Sequence, residues 1–420
     1  MLISFSASNF KSLKEETHFS MLPKKAFKEL PQNLLSLNKK PKLLSSAIIY
    51  GANASGKSNL YDAMNFVSNL LYSKPDDQKV GVYFNAFSLD EKMDGQAIKL
   101  NYQFIGSENI EFSYALEFTN HQIVYEGLHF KPKGQEALLY ERRGNEIHFG
   151  EYFKNQDVIR NYVNRPENQE RLILIIAGQL GLEHVQTAFH FFSNQLLFWN
   201  QTSWDIGNEK NEATLLSHLY RNKFTVWFDY YKKLIMSLDI GLKNIDVEEF
   251  KIDNTDKIQH FLSTFRNRKK LDGSSELIPF GSYNESVGTH NILSLGIPII
   301  DGLIYGKTIV IDEIDRSLHT QIVEYFIGLF NDPTVNTKNA QLICTSHNTL
   351  LMNSDLVRRD QIWIMEKDES GASQLFSLGD VGGLKKEMPI GKYYLAGKLG
   401  GTPIIDDLDF KKAFYGSQLQ

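Results

Sequence analysis

Two stretches of this chain carry residue types and spacings that could do phosphate chemistry. The first is Gly51-Ala-Asn-Ala-Ser-Gly-Lys-Ser58, which fits the pattern G-x-x-x-x-G-K-[ST]. Glycines allow backbone N–H groups to wrap a phosphate without side-chain clash. Gly51, Asn53, Ala54, Ser55 and Gly56 supply that backbone, and Asn59 follows on the helix whose positive end faces the same anion. Lys57 sets a cation on the β- and γ-phosphates, and the Ser58 hydroxyl is a ligand for Mg²⁺.

The second stretch is Lys307-Thr-Ile-Val-Ile-Asp-Glu313, a β-favouring run that ends in two acids. Such a strand puts carboxylates at the carboxyl edge of a parallel sheet, where ligands bind. Asp312 is placed to hold the Mg²⁺ shell, and Glu313 to polarise a water for in-line attack on a γ-phosphate. Another apolar strand, Gln341 to Ser346, ends at His347, which can donate to the same phosphate. Upstream, Glu285-Ser-Val-Gly-Thr289 is a Ser-x-Gly turn opening an apolar helix, an anion site of its own kind.

These residues need elements to hold them. Leu43 to Ile49 reads as a buried strand ending at the glycine loop, and Leu60, Met64, Val67 and Leu71 recur at helical spacing after it. Leu2 to Phe10 reads as a strand, after which Lys11 could reach a phosphate if that strand lies beside the loop. Met21 to Lys42, rich in Lys and Pro, reads as an extended connection. From Ile98 to Phe149 apolar residues alternate in runs separated by turn residues, the pattern of an antiparallel meander outside the parallel sheet. Residues 152–235 turn helical, and Phe189, Phe191, Phe192, Phe198 and Trp199 are expected to pack a core. Arg266-Asn-Arg-Lys-Lys270 is the densest basic run, either a solvated loop or a contact for a nucleic-acid backbone.

Composition limits the setting. The 420 residues are 42% hydrophobic and 23% charged with a net charge of −5, which offers no overall field toward nucleic acid or anionic lipid. Cys344 is the one cysteine, so internal disulfides and cysteine-rich zinc sites are excluded. No apolar run approaches the roughly 20 residues that span a bilayer, and the N-terminus lacks the pattern of a secretory signal. A cytoplasmic setting without a membrane partner is expected.

The order of phosphate loop, insertion, Ser-x-Gly turn, acidic strand, Asp-rich turn and histidine strand resembles the ABC-type ATPase head of SMC and RecF proteins. The resemblance implies an α/β fold: a P-loop ABC-ATPase head with a mixed or parallel core sheet, a flanking antiparallel meander and an inserted helical subdomain. Residues 1–150 would form an N-terminal lobe, 151–238 a helical insertion, and 239–420 a C-terminal lobe. It further implies ATP and Mg²⁺ as cofactors, and a homodimer or higher oligomer closed around two ATP molecules. Ser286 and Gly288 would then touch the γ-phosphate of the opposite protomer, with Asp315 to His319 lying across the interface. Lys11 and Ser12 match the Asn-Phe-Lys/Arg-Ser segment of these heads, and Asn85 is a candidate for the glutamine-loop residue.

A narrower resemblance rests on Glu285–Thr289, Asp312–His319, Thr345–Thr349 and Tyr394–Pro403. Together they are similar to the RloA, AbiL and PARIS AriA group of anti-phage ATPases, relatives of the ATPase half of OLD-family nucleases. That group implies a separately encoded effector, a Toprim-like nuclease or an RloB-like protein. Too few residues follow Ser377 for a Toprim domain, so nuclease activity is expected elsewhere. Three rival readings stay open: a DNA repair or recombination ATPase that binds DNA directly, a transporter ATPase subunit, and a scaffold that binds ATP without hydrolysing it.

Overall fold

The computed structural model describes residues 1–37, 42–200, 209–238, 240–251, 258–353, 355–385, 388–403, 410–411 and 413–414. The N-terminal strands are β1 (Leu2–Ser8), β2 (Thr17–Ser20), β3 (Leu34–Leu35), β4 (Leu43–Leu44) and β5 (Ser46–Tyr50). Helix α1 (Lys57–Tyr72) precedes β6 (Ile98–Ile105), β7 (Glu111–Phe118), β8 (Ile123–Phe130), β9 (Ala137–Arg143) and β10 (Glu146–Phe149). The middle of the chain holds α2 (Gln156–Val163), α3 (Ile173–Gln179), α4 (Val185–His190), β11 (Leu196–Trp199), α5 (Glu209–Asn222) and α6 (Val226–Met236). Then come β12 (Asn244–Lys251), β13 (Ile258–Lys269), β14 (Ser275–Gly281), α7 (Val287–Tyr305), β15 (Thr308–Ile311) and α8 (Thr320–Asn331). The last elements are β16 (Gln341–Thr345), β17 (Ile362–Lys367), β18 (Ser373–Ser377) and α9 (Ile390–Leu395).

The core sheet has the order β11-β15-β16-β5-β17-β18. Its pairs are parallel except β17 with β18, so the sheet is mixed. Strands β5, β15 and β16 are buried along their whole length. Both faces are covered, which is why these strands read as continuous apolar runs. Alternate residues feed two cores. Ala47, Ile49, Val310, Ile343, Trp363 and Met365 join α1 and the antiparallel sheet on one face. Ile48, Tyr50, Ile309, Ile311, Leu342 and Cys344 pack with α6, α7 and α8 on the other.

The second sheet has the order β10-β9-β8-β7-β6-β1-β2. Strands β6 and β7 alternate buried with less buried positions, as one covered face demands. The expected meander is present, and β1 belongs to it, paired antiparallel with β6 and β2. The described residues of 151–238 are mainly helical, but β11 among them is the edge strand of the core sheet, parallel to β15. Arg266 to Lys269 lie in strand β13 of a three-stranded antiparallel sheet, not in a loop.

Helix α7 is long and apolar enough, by length and composition, to cross a membrane, but most of it is buried within the protein. Ser286 caps its start, accepting from the Thr289 N–H, and Gly306 ends it in the left-handed region at φ 68°.

Candidate active site

The phosphate loop is shaped by what surrounds it. A Cβ added at Gly51 would lie 2.3 Å from the Met365 carbonyl oxygen of β17, so only glycine fits between the adjoining strands. Gly56 has φ 113°, and an added Cβ there would meet Ser373 Oγ. Helix α1 begins at the next residue, which leaves its first N–H groups pointing into the loop. Lys57 Nζ donates to the carbonyls of Gly51 at 2.8 Å and Ala52 at 3.0 Å. Burial pushes the Lys57 pKa down, against the pull of Asp312, Glu313 and Asp315. The ammonium is thus held by neutral carbonyls close to acids that do not pair with it directly.

The acidic strand ends facing this loop. Ser58 Oγ donates to Asp312 Oδ2 at 2.7 Å. Thr345 Oγ1 donates to Asp312 Oδ1 at 2.6 Å and accepts the Glu313 N–H at 2.7 Å. The Asp312 N–H donates to the Trp199 carbonyl at 3.0 Å, so β11 anchors the acid from the far side. Glu313 sits at φ 55°, a left-handed conformation that costs free energy in a non-glycine residue. Its side chain is half-exposed, with Arg316 Nη1 at 3.9 Å. The His347 N–H donates to both Asp315 carboxylate oxygens, at 3.3 and 3.1 Å.

A cleft of about 480 Å³ collects these groups. It is lined by Asn53, Ala54, Ser55, Gly56, Lys57, Ser58, Asn59, Glu313, His347 and Lys367. Asp312 is tied to the cleft through its bond from Ser58. The hydroxyl of Ser58 and the carboxylate of Asp312 are hard oxygen donors, the set that suits Mg²⁺ completed by phosphate and water. Among the described residues no group of three His, Cys, Asp or Glu side chains could hold a metal by itself.

The remaining expected residues lie elsewhere. Lys11 pairs with Asp62 of α1 and lines a separate cleft of about 300 Å³ with Phe10, Phe66, Tyr83 and Asn85. Asn85 accepts the Lys11 N–H through its carbonyl at 2.8 Å and does not line the phosphate cleft. Ser12 braces the loop from behind: its Oγ accepts from Asn59 Nδ2 at 2.6 Å and lies 2.7 Å from Ser373 Oγ. Ser373 in turn donates to the Ser55 carbonyl at 2.6 Å. Ser286 and Gly288 do not line the cleft of their own chain. They stand against the Asp315–His319 turn, where a Gly288 Cβ would sit 3.0 Å from the Ser317 carbonyl oxygen. Asn291 Nδ2 adds a bond to the Arg316 carbonyl at 3.1 Å.

Sequence reasoning did not single out Thr345, Ser373 or Lys367. Thr345 was legible, because a hydroxyl two residues before His347 on a strand next to the acidic one must face either the acid or the core. Ser373 and Lys367 gave no local signal, since their place depends on β17 and β18 pairing beyond the phosphate loop.

A family model described as "AAA domain, putative AbiEii toxin, Type IV TA system" matches residues 46–353, from the strand before the phosphate loop to just past His347. The chain belongs to this AAA domain family. A comparison with curated proteins finds no sequence match. Among solved structures, the SMC head domain from Thermotoga maritima is 14% identical at a TM-score of 0.42, covering 90% of this chain and 98% of its own. An Smc head with a coiled coil and joint from Pyrococcus yayanosii is 11% identical at a TM-score of 0.47, with coverage of 94% and 99%. The recombination mediator RecF bound to ATPrS, of the RecFOR pathway, is 10% identical at 0.42, with coverage of 90% and 98%.

Proposed function

We propose that this AAA-family chain is an ABC-type ATP hydrolase whose two copies close around two ATP molecules, and that it senses or regulates for a separate effector in anti-phage defence. The observation that carries the hydrolase reading is the hydrogen-bond chain Ser58–Asp312–Thr345–Glu313 beside Lys57. It ties a cation-bearing phosphate loop to an acid able to orient water. Mg²⁺, held by Ser58 and Asp312, would supply charge neutralisation on the phosphates.

The chain's own residues divide the work as follows. Backbone amides of residues 53–58 and Lys57 hold the phosphates and stabilise charge developing on them. Glu313, half-exposed at the cleft, orients the attacking water and accepts its proton. His347 donates to the γ-phosphate, its main chain steadied by Asp315. Lys57 leaves the loop carbonyls for the phosphates when nucleotide arrives. Ser286 and Gly288 act on the partner protomer's nucleotide, which is consistent with their standing outside the cleft of their own chain. Defence and the effector rest on the motif resemblance and on the family description, and the neighbouring gene is the first place to look for that effector.

Direct DNA binding is less well supported. Arg266 pairs with Glu285, and Arg268 and Lys270 share Glu276, so two acids of the region offset half of the run's four positive charges. The dimer is tested by light scattering of Glu313→Gln with ATP and Mg²⁺. The expected mass is that of two chains, falling to one when Lys57→Ala is added. A single-chain mass for Glu313→Gln at saturating ATP contradicts the sandwich.

A further inference from the structure

We infer that Lys367 is a second cationic ligand for the bound nucleotide, gripping its α- and β-phosphates from the β17 side of the phosphate loop. The inference rests on the reading of the cleft as a nucleotide site and adds to it a residue that no motif contains. Lys367 is the last residue of β17 and lines the phosphate cleft.

Strand geometry explains why. Neighbouring residues of a strand point to opposite faces, and directly opposed residues of an antiparallel pair share one. Lys367 is opposed to Ser373. Ser373 points at the phosphate loop, reaching the Ser55 carbonyl and standing where a Gly56 Cβ would be. Lys367 therefore emerges on the loop side. Glu366, the preceding residue, takes the other face, where it accepts the Gly401 N–H at 3.3 Å. The carboxylate next to Lys367 in sequence is thus turned away from it.

Charge also argues for a second cation. Glu313 lines the cleft, Asp312 and Asp315 bond to its lining residues Ser58 and His347, and a triphosphate adds several more negative charges. Among the described residues that line it, Lys57 and Lys367 are the only lysines or arginines. Lys11 is committed to Asp62 in a neighbouring cleft. Among the described residues no carboxylate pairs with Lys367, so its ammonium is available without breaking an ion pair.

Position assigns the phosphates. In the core sheet β5 lies between β16 and β17. The β16 side carries His347 and neighbours Asp312 and Glu313, which mark the γ-phosphate. The side of β17 and β18 adjoins Gly51 through Met365, Gly56 through Ser373 and, through Ser12, Asn59.

The test is titration of the full-length protein with fluorescent ATP and ADP analogues in Mg²⁺. Wild type is compared with Lys367→Ala, Lys367→Arg and Lys57→Ala. Lys367→Ala is expected to weaken ATP and ADP by the same factor, roughly tenfold, as for loss of one charge-assisted hydrogen bond. Lys367→Arg should stay within about threefold of wild type, since it keeps the charge. The side chain is exposed, so the melting temperature without nucleotide should not move. Wild-type affinity in Lys367→Ala overturns the inference, and a loss confined to ATP overturns the assignment to α and β. If wild type binds neither nucleotide, it is the reading of the cleft that fails.

Discussion

The phosphate cleft and the interior of the seven-stranded sheet treat charge in opposite ways. In the sheet, Glu126 is fully buried and saturated: it accepts from Tyr114 and Tyr140 hydroxyls and from the Ile173 and Leu174 N–H groups that open α3. Arg142 beside it gives its guanidinium to the carbonyls of Gly144, Gln169 and Arg171. Burial raises the Glu126 pKa against the bonds it accepts, and lowers that of Arg142 against the pull of the Glu126 charge. In the cleft, Lys57 leans on carbonyls, Glu313 is half-exposed in a left-handed conformation, and Lys367 stands without a partner acid among the described residues. A saturated network fixes how the meander docks on the helical segment. An unsaturated one keeps the capacity that a bound phosphate would use.

The contrast can be broken by substitution. The largest effect is expected at Lys57: Lys57→Ala should weaken ATP by at least about a hundredfold in equilibrium binding while leaving the fold intact, as loss of a charged phosphate contact implies. Glu126→Ala should do the reverse. It strands four buried donors, so denaturant melts should show a loss of about 3 kcal/mol, with nucleotide affinity unchanged in whatever remains folded. If Glu126→Ala alters ATP affinity at constant stability, the two regions are not separate.

Smaller effects sharpen the same division. Thr345→Val removes the bridge between Asp312 and Glu313 without exposing either, and should lower turnover by roughly ten- to a hundredfold with little change in ATP affinity. Asp301 gives a pH test outside the cleft. Burial alone would raise its pKa, but the His218 imidazole 3.7 Å away and the Lys307 ammonium at 3.0 Å outweigh that and set it below the usual carboxylate range. A carboxyl depressed on folding stabilises the protein above its unfolded pKa, and that stability is lost as pH falls through the folded one. Thermal melts should therefore fall below about pH 4, less steeply in Asp301→Asn. The smallest effect is expected on the basic strand: duplex DNA retention at physiological salt should be weak, and neutralising Arg266, Arg268, Lys269 and Lys270 should leave it unchanged. A salt-dependent loss of tight binding would favour the DNA-binding reading instead.

Much of the candidate site's scaffold was legible because its strands are covered on both faces. Ser46–Tyr50, Thr308–Ile311 and Gln341–Thr345 read as apolar runs that stop at candidate-site residues. The meander was legible from its alternation. Strand β11 was not: Leu196–Trp199 is a four-residue apolar run among helices, and periodicity cannot separate such a run from helix. Lys11 shows the limit on single residues. Its position after β1 suggested a phosphate contact, but β1 runs in the antiparallel sheet, and the ammonium meets Asp62 one turn beyond the phosphate loop on α1. Lys367 shows the converse, a residue whose place at the cleft follows only from strand pairing.

Phosphate release under saturating ATP and Mg²⁺, measured on wild type and Glu313→Gln alongside ATP affinity, bears most directly on the cleft between Lys57 and the acid-tipped strand. Release from wild type should drop by about a hundredfold or more in Glu313→Gln, with ATP affinity retained. Equal release from both proteins would show that this carboxylate does not serve the reaction.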